Sequence, residues 1–298
     1  MNIDSDLIVG EPERLWTGAV WSEGPVWLPA LGAVRWSDIP NDRILQWSRE
    51  TGETVVYDDA PEFTNGRTLD LAGQVVQCSH GRRRVERDVD GVVTSIVDAF
   101  DGHRLNSPND VIVASDGAIW FTDPPYGIQA SEVEGHAGEE EYGGCYVFRF
   151  VESTGELTPV ITDMVHPNGL AFSPDESVLY VADTGSILVE GGANHIRAYD
   201  VRDGVCSNGR VFAEPDTSDG FRVDVEGRIW TSWSDGDRGG IAVYDAAGAE
   251  LLQLDLGERT SNVCFGGPDD DELYVTASTS LYRIRTTTAP APRPEPLG

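Results

Sequence analysis

One short sequence frame recurs along the chain and restricts its fold more than any other feature. In each copy an acidic or amide residue begins a β-rich run, which a Gly or Asp closes seven to nine positions later. The frames begin at Glu23 (the loosest match), Asn65, Asn109, Asn168, Asp219 and Asn262, with spacings of 42, 44, 59, 51 and 43 residues. A second β-rich run follows every frame, and a third follows most of them. Four-stranded units of this length are typical of propeller blades, so the sequence predicts an all-β fold, a six-bladed β-propeller with four-stranded blades.

A β-sandwich with accidental repetition is the alternative, and the regular spacing argues against it. We expect residues 1–298 to form a single propeller domain. Only three β-rich runs follow Asn262 before a Pro-rich tail over 286–298, which is expected to fray. The missing strand is therefore expected from the N-terminal segment 1–17, around Glu13–Thr17, which would close the last blade and remove its exposed edge.

The charge balance limits the classes of partner. The chain has 51 acidic and 21 basic residues, a net charge of −30, and no lysine. Repulsion from phosphate makes nucleic acids and anionic membranes improbable partners. There is no long apolar segment and no secretory signal pattern, so we expect a cytoplasmic protein. Closed propellers have few free edges, which favours a monomer.

The predicted fold brings the six frame starts together. In a propeller the first strand of each blade lines the central channel, so these residues meet at one mouth of it. Carboxylate and amide oxygens without His or Cys suit a hard cation such as Ca²⁺, with Mg²⁺ or Mn²⁺ also tolerated. The competing interpretation is that Asn and Asp simply favour the turns that precede strands.

Several runs resemble a known family: WSEGPVW, FTNG…CSHGRRRV, RLNSPNDVIVASDGAIWFTDPPYG and HPNGLAFSPDESVLYVAD. They are similar to the SMP-30/gluconolactonase family of six-bladed propellers that hydrolyse sugar lactones, and the resemblance covers nearly the whole chain. It implies one divalent cation, with Ca²⁺ favoured and Mg²⁺, Mn²⁺ or Zn²⁺ also accepted. The implied ligands are Glu23, Asn109, Asn168 and Asp219, which are four of the six frame starts.

The resemblance also implies chemistry. The cation would polarise a lactone carbonyl, and Asp219 would be the general base. Because direct coordination lowers the basicity of a carboxylate, His80 or a water acidified by the cation remains an alternative base. Expected substrate contacts are Asn109, Asp110, Tyr126 and His80. Asp110 and Tyr126 also suit turn roles, and His80 suits a structural role at a strand end.

Two long insertions, at 129–143 and 186–194, fall between second and third strands on the predicted face of the frame starts. We expect them to form a rim that selects the substrate. Two other functions stay open. One is a metal-dependent esterase or phosphotriesterase on the same propeller, and the other is a non-catalytic calcium-binding propeller.

Overall fold

Six four-stranded antiparallel sheets dominate the structure, a computed structural model that describes residues 6–292. β1 (Ile8–Thr17) belongs to blade six. Blade one contains β2 (Ser22–Leu28), β3 (Ala33–Asp38), β4 (Arg43–Ser48) and β5 (Thr54–Asp58). Blade two contains β6 (Thr64–Leu69), β7 (Val75–Ser79), β8 (Arg84–Val89) and β9 (Val92–Val97).

A two-stranded ribbon of β10 (Ala99–Phe100) and β11 (His103–Arg104) leads into blade three. Blade three contains β12 (Val111–Val113), β13 (Ile119–Asp123), β14 (Tyr146–Val151) and β15 (Glu156–Ile161). Blade four contains β16 (Pro167–Phe172), β17 (Val178–Asp183), β18 (His195–Arg202) and β19 (Val205–Ala213). Blade five contains β20 (Phe221–Val223), β21 (Ile229–Asp235), β22 (Arg238–Tyr244) and β23 (Glu250–Asp255). Blade six contains β24 (Thr260–Gly266), β25 (Glu272–Ala277), β26 (Ser280–Thr286) and β1.

The blades form a closed ring, which confirms the predicted six-bladed propeller. The innermost strands contact one another from blade to blade, and β24 of blade six returns to contact β2 of blade one. The helical segments of the described residues are short 3₁₀ turns at Ile39–Asn41, Tyr126–Ile128 and Gly185–Ile187. None of them has the length or the apolar character needed to cross a bilayer.

The two ends of the described chain meet in blade six. β1 pairs antiparallel with β26, with Ile8 opposite Thr286 and Thr17 opposite Ser280. The outer strand of this blade is thus the one that the sequence predicts. The prediction that the tail frays is wrong for residues 286–292. Ala291 donates a backbone hydrogen bond to Val223 (2.9 Å), and Val225 donates one to Ala289 (3.0 Å). The rest of the tail, 293–298, and the first five residues lie outside the described chain.

Burial decreases from the channel outward, and this explains the sequence patterns. β2, β3 and β7 are buried along their whole length, so both faces are covered and their apolar residues do not alternate with polar ones. The outermost strands, such as β9 and β19, are largely exposed on one side. Apolar clusters fill most junctions between blades, for example Trp230 and Val243 of blade five against Leu273 and Val275 of blade six.

The junction between blades one and two is different because a buried ion pair crosses it. The Arg35 guanidinium donates to the Asp88 carboxylate at 3.0 Å, and side-chain exposures are only 7% and 1%. Asp88 also accepts from the Tyr57 hydroxyl (3.2 Å) and the Gly91 backbone (2.8 Å). Arg35 also lies over the Tyr57 ring, 3.4 Å from its centroid, and donates to Gln46. Both charged groups therefore have hydrogen-bond partners, and removing one would leave the other buried without its counter-ion.

We expect Asp88→Ala to lower the free energy of unfolding by about 3–5 kcal/mol, since it leaves the Arg35 charge buried without its partner. Asp200→Ala is the matched control, because the Asp200–Arg210 pair is 46% and 50% exposed. Asp200→Ala is expected to change the free energy of unfolding little, because solvent screens an exposed pair. Urea denaturation of both variants measures the difference. Equal losses in the two variants would show that burial of the first pair carries no special cost.

Candidate functional site

Glycines at the start of the inner strands bring the blades together at one end of the channel. Gly24, Gly66, Gly169 and Gly220 each directly follow a frame start. A Cβ atom at Gly169 would lie 2.4 Å from the Asp219 carbonyl oxygen, and one at Gly24 would lie 2.1 Å from that of Asn65. Real side chains cannot be accommodated at those distances. The glycines allow the frame starts of neighbouring blades to approach through their main chains.

Backbone hydrogen bonds use this close approach. The Gly66 amide donates to the Asn109 carbonyl at 2.8 Å, and the Gly169 amide donates to the Asp219 carbonyl at 2.9 Å. The six frame starts therefore form one ring, which we call the oxygen ring: Glu23, Asn65, Asn109, Asn168, Asp219 and Asn262. The structure thus brings together all four residues that the sequence analysis proposes as cation ligands.

The hydrogen bonds within the oxygen ring come from neutral amide groups, so they bring no positive charge to its carboxylates. The Asn262 amide donates to the Glu23 carboxylate at 3.1 Å, and the Gly24 backbone amide is a further donor to it. Asn168 donates to the Asp219 carboxylate. The Asn65 side-chain oxygen is buried and has no hydrogen-bond partner among the described residues. The ring therefore presents two carboxylates and an unsatisfied amide oxygen to the channel.

The pKa values of both carboxylates are raised. Burial is the main cause for Glu23, and the charges of Asp219 and Asp110 add to it. The pKa of Asp219 rises to about 7, first by burial and then by the charges of Glu134 and Asp110, while Arg259 acts in the opposite direction. Both carboxylates thus resist ionisation because they are buried near other negative charges. A bound cation would remove this repulsion and lower both pKa values.

The donor set fits a hard cation rather than a transition metal. Across 6–292, no group of three or more His, Cys, Asp or Glu side chains is arranged to hold a metal. The oxygen ring has only two such side chains, and its other donors are amide oxygens. Ca²⁺ accepts carboxylate and amide oxygens, whereas Zn²⁺ favours nitrogen and sulfur. Of the four metals expected from the sequence, Ca²⁺ and Mg²⁺ suit these donors best.

Tyr126 is tied to the oxygen ring through Thr184. Its hydroxyl lies 2.6 Å from the Thr184 hydroxyl, which in turn accepts from the Asn168 amide at 3.1 Å. Burial raises the pKa of Tyr126, so it stays a neutral phenol. The side chain is partly exposed beside the edge of the His166 ring. Tyr126 therefore orients Asn168 and keeps a surface that a substrate can reach.

His80 and Asp110 lie deeper than the sequence analysis expects of residues that touch substrate. His80 is fully buried, and its Nε2 atom lies 3.3 Å from the Asn65 amide. Its Nδ1 atom lies 3.0 Å from the Glu134 carbonyl, and burial lowers its pKa to about 4. Asp110 is 1% exposed and lies 3.6 Å from Arg222, further down the channel. This geometry gives both residues supporting positions beneath the ring, and their contact with substrate stays a prediction.

Two residues near the ring were not singled out by the sequence. Glu134 lies in the insertion at 129–143, where its carbonyl is fixed by His80 and its carboxylate raises the pKa of Asp219. Burial raises the pKa of Glu134 itself to about 7. Arg259 lies over the Trp21 ring, 4.9 Å from the centroid, and lowers the pKa of Asp219. The insertion itself was the signal for Glu134, whereas nothing in the local sequence marks Arg259.

The fold and the ring together define a class: a six-bladed propeller with an oxygen-rich site at one end of its channel. Residues 21–279 match the family described as SMP-30/Gluconolactonase/LRE-like region. The chain therefore belongs to this family, which confirms the resemblance found in its sequence.

Individual relatives agree with this assignment. Pentonolactonase XacC of Haloferax volcanii is 32% identical, over 86% of this chain and 81% of its own length. The structure of a gluconolactonase from Xanthomonas campestris superposes with a TM-score of 0.85 at 38% identity, covering 93% of this chain and 89% of that one. A calcium-binding protein, regucalcin from Agrobacterium tumefaciens, shares the fold with a TM-score of 0.74 at 20% identity, covering 97% of each chain.

The raised pKa of Asp219 predicts that the cation-free protein loses stability as the pH rises. An unfolded Asp ionises near pH 4, whereas folded Asp219 ionises near pH 7, so ionisation destabilises the fold as pH rises between those values. We expect Asp219→Asn to raise the melting temperature in EDTA at pH 7.5, with the gain shrinking toward pH 5. Calorimetry across this range measures the gain.

The exposed carboxylate Asp59 provides the control. Asp59→Asn is expected to change the melting temperature little at either pH. If the increase in melting temperature for Asp219→Asn did not vary with pH, this result would contradict a raised pKa for Asp219.

Proposed function

We propose that the protein is a lactonase that hydrolyses a sugar lactone to the aldonic acid and requires one divalent cation. The observation that carries this proposal is the oxygen ring, in which burial raises the pKa values of both Glu23 and Asp219 and the charge of Asp219 raises that of Glu23 further. The chain also belongs to a family that includes gluconolactonases. Two close carboxylates at a channel mouth are costly unless a cation or a reaction uses them. The relatives named gluconolactonase and pentonolactonase support a sugar lactone as the substrate class.

Glu23, Asn109, Asn168 and Asp219 would hold the cation, which we propose to be Ca²⁺ or Mg²⁺. When bound, the cation polarises the lactone carbonyl and stabilises the negative charge that develops on its oxygen. Asn168 is oriented for this role through Thr184 and Tyr126. Asn109 is held by its backbone, whose amide donates to Thr122 at 2.9 Å and whose carbonyl accepts from Gly66.

Asp219 is the proposed general base. As the water oxygen bonds to the carbonyl carbon, Asp219 takes the proton that the water loses. The bond between that carbon and the ring oxygen then breaks, and the same proton passes to the departing oxygen. Coordination lowers the basicity of a carboxylate, but burial and the charge of Glu134 act against this and keep Asp219 able to accept a proton.

The rim above the ring supplies selectivity. The insertion at 129–143 is anchored by the contact between His80 and the Glu134 carbonyl, which fixes the Glu134 carboxylate close to Asp219. Carboxylates accept hydrogen bonds from sugar hydroxyls, so Glu134 suits a polyhydroxylated substrate better than an apolar ester. We infer that this loop favours sugar lactones over phosphotriesters.

Replacing Glu23 with Gln tests the cation site. The change keeps one oxygen ligand and removes one negative charge, so we expect divalent affinity to fall at least tenfold without loss of the fold. Isothermal titration with Ca²⁺ and with Mg²⁺ measures the affinity, and circular dichroism checks the fold. Glu53→Gln, at an exposed turn, is the matched control. Unchanged affinity in Glu23→Gln would remove Glu23 from the ligand set.

Replacing Asp219 with Asn tests the base. We expect kcat on a sugar lactone to fall about 10²–10⁴-fold at saturating cation, because excess cation restores a weakened ligand but not a missing base. His80→Gln separates the two candidate bases, and its smaller expected loss follows from its buried position. Recovery of Asp219→Asn with excess cation, alongside a persistent defect in His80→Gln, would transfer the role to His80.

The same assays distinguish the alternative functions. Wild-type protein at saturating cation is offered glucono-, xylono- and galactonolactones and a phosphotriester of the paraoxon type. We expect turnover of at least one lactone well above its spontaneous rate. Preferential phosphotriester hydrolysis would favour the esterase alternative, and cation binding without any turnover would favour the calcium-binding alternative.

A further inference from the structure

A cavity of about 340 Å³ occupies the central channel at the end opposite the oxygen ring. It is lined by the later residues of the inner strands, and by Pro290–Pro292 of the tail. Backbone hydrogen bonds from Val225 to Ala289 and from Ala291 to Val223 hold the tail at its edge. The volume lies in the range of small-molecule sites, which begin at about 300 Å³.

Two arginines contribute to this cavity, in a chain with 30 more negative than positive charges. Arg67 is 0% exposed and donates to the Gly24 carbonyl (2.6 Å), the Ser37 hydroxyl (2.6 Å) and the Thr64 hydroxyl (3.2 Å). These partners are all neutral. Its Nε atom is buried and has no hydrogen-bond partner within residues 6–292. Arg67 is therefore a buried positive charge without a carboxylate in direct contact among the described residues, and its guanidinium is not accessible from the cavity.

Arg222 is the second cation at this cavity. It donates to the Phe221 carbonyl at 2.7 Å, and the nearest carboxylate oxygen, on Asp110, lies 3.6 Å away. The two groups form an ion pair that is longer than a hydrogen bond, and the Asp110 Oδ2 atom has no hydrogen-bond partner in the described part of the chain. Arg222 thus has capacity for a further acceptor.

The carboxylates that line the cavity are engaged elsewhere. Asp70 accepts from Arg87 at 2.9 Å and from the backbone of its own turn. Glu176 accepts from the amide and the hydroxyl of Ser115. The remaining wall is mostly apolar and includes Trp27, Val113, Phe172 and Phe265. The cavity therefore combines one accessible arginine, Arg222, and the buried charge of Arg67 with aliphatic and aromatic walls.

We propose that this cavity is a second binding site, which takes a small carboxylate with an apolar body. The Arg222 guanidinium, whose side chain is 19% exposed, would hold the carboxylate, since arginine matches the geometry of a planar anion. The buried Arg67 charge would attract the carboxylate without contacting it. The apolar body would lie against Trp27, Phe172 and Phe265. A sugar acid does not suit this apolar wall, because its hydroxyls would lose their hydrogen bonds to water without gaining hydrogen-bond partners in the protein.

Titration calorimetry with hexanoate tests the site in protein dialysed against EDTA. Without a cation, the oxygen ring repels carboxylates, so binding there is suppressed. We expect saturable binding of hexanoate at one site per chain, and binding at least tenfold weaker for hexan-1-ol, which lacks the charge, and for gluconate, which lacks the apolar body. Equal affinity for all three probes would overturn the proposal.

Two variants locate the binding. Arg222→Met keeps the side-chain length but removes the charge, and it should weaken hexanoate binding at least tenfold. Val113→Trp fills the cavity while leaving both arginines in place, and it should abolish binding. Val113 is partly exposed and lies away from the oxygen ring, so this variant keeps the proposal testable if Arg222→Met fails to fold. Thermal melting checks the fold of both, and hexanoate affinity unchanged in the folded variants would refute the site.

Discussion

The close main-chain contact between inner strands is the constraint on which the rest of this propeller depends. Gly24, Gly66, Gly169 and Gly220 leave no room for a side chain, so adjacent blades approach closely at one end of the channel. The main chain of the next blade fills the space at Gly24 and Gly169, and the Asn262 side chain fills it at Gly220. This contact sets the width of the channel mouth and aligns the residues that precede each glycine. The oxygen ring is thus a product of how the blades close, and the repulsion between Glu23 and Asp219 is a cost of the same closure.

Charge is distributed along the channel in layers. Carboxylates lie at the ring, and the Arg67 guanidinium donates to the Gly24 carbonyl beside it. Arg222, paired with Asp110, lies toward the opposite cavity. Every positive side chain that the chain uses in ion pairs is arginine or histidine, because the sequence has no lysine. Arginine can satisfy several acceptors at once, as Arg87 does with Asp70 and Glu152. This property lets a strongly acidic chain neutralise many carboxylates with few cations.

Much of this arrangement follows from the sequence, and the exceptions have physical reasons. The repeat period predicts the blades, the outer strand of blade six and the meeting of the frame starts, because each depends on local pattern and on ring closure. The Arg35–Asp88 pair and the Arg259 contact with Trp21 depend on which side chains face each other across blades, and no local pattern encodes this. The burial of His80 follows from the insertion that covers it. The tail was expected to fray because it is rich in proline, but its backbone forms hydrogen bonds with blade five.

The pairing of β1 with β26 has a consequence for biosynthesis. Thr17 pairs with Ser280, so β1 leaves the ribosome long before its partner has been made. At about 5–20 residues per second, that delay lasts roughly 13–50 seconds. During this time β1 is an unpaired strand, and the charges of Glu11, Glu13 and Arg14 discourage it from pairing with other chains. The ring can therefore close only after β26 has been made, and the charges of β1 disfavour pairing with other chains until then.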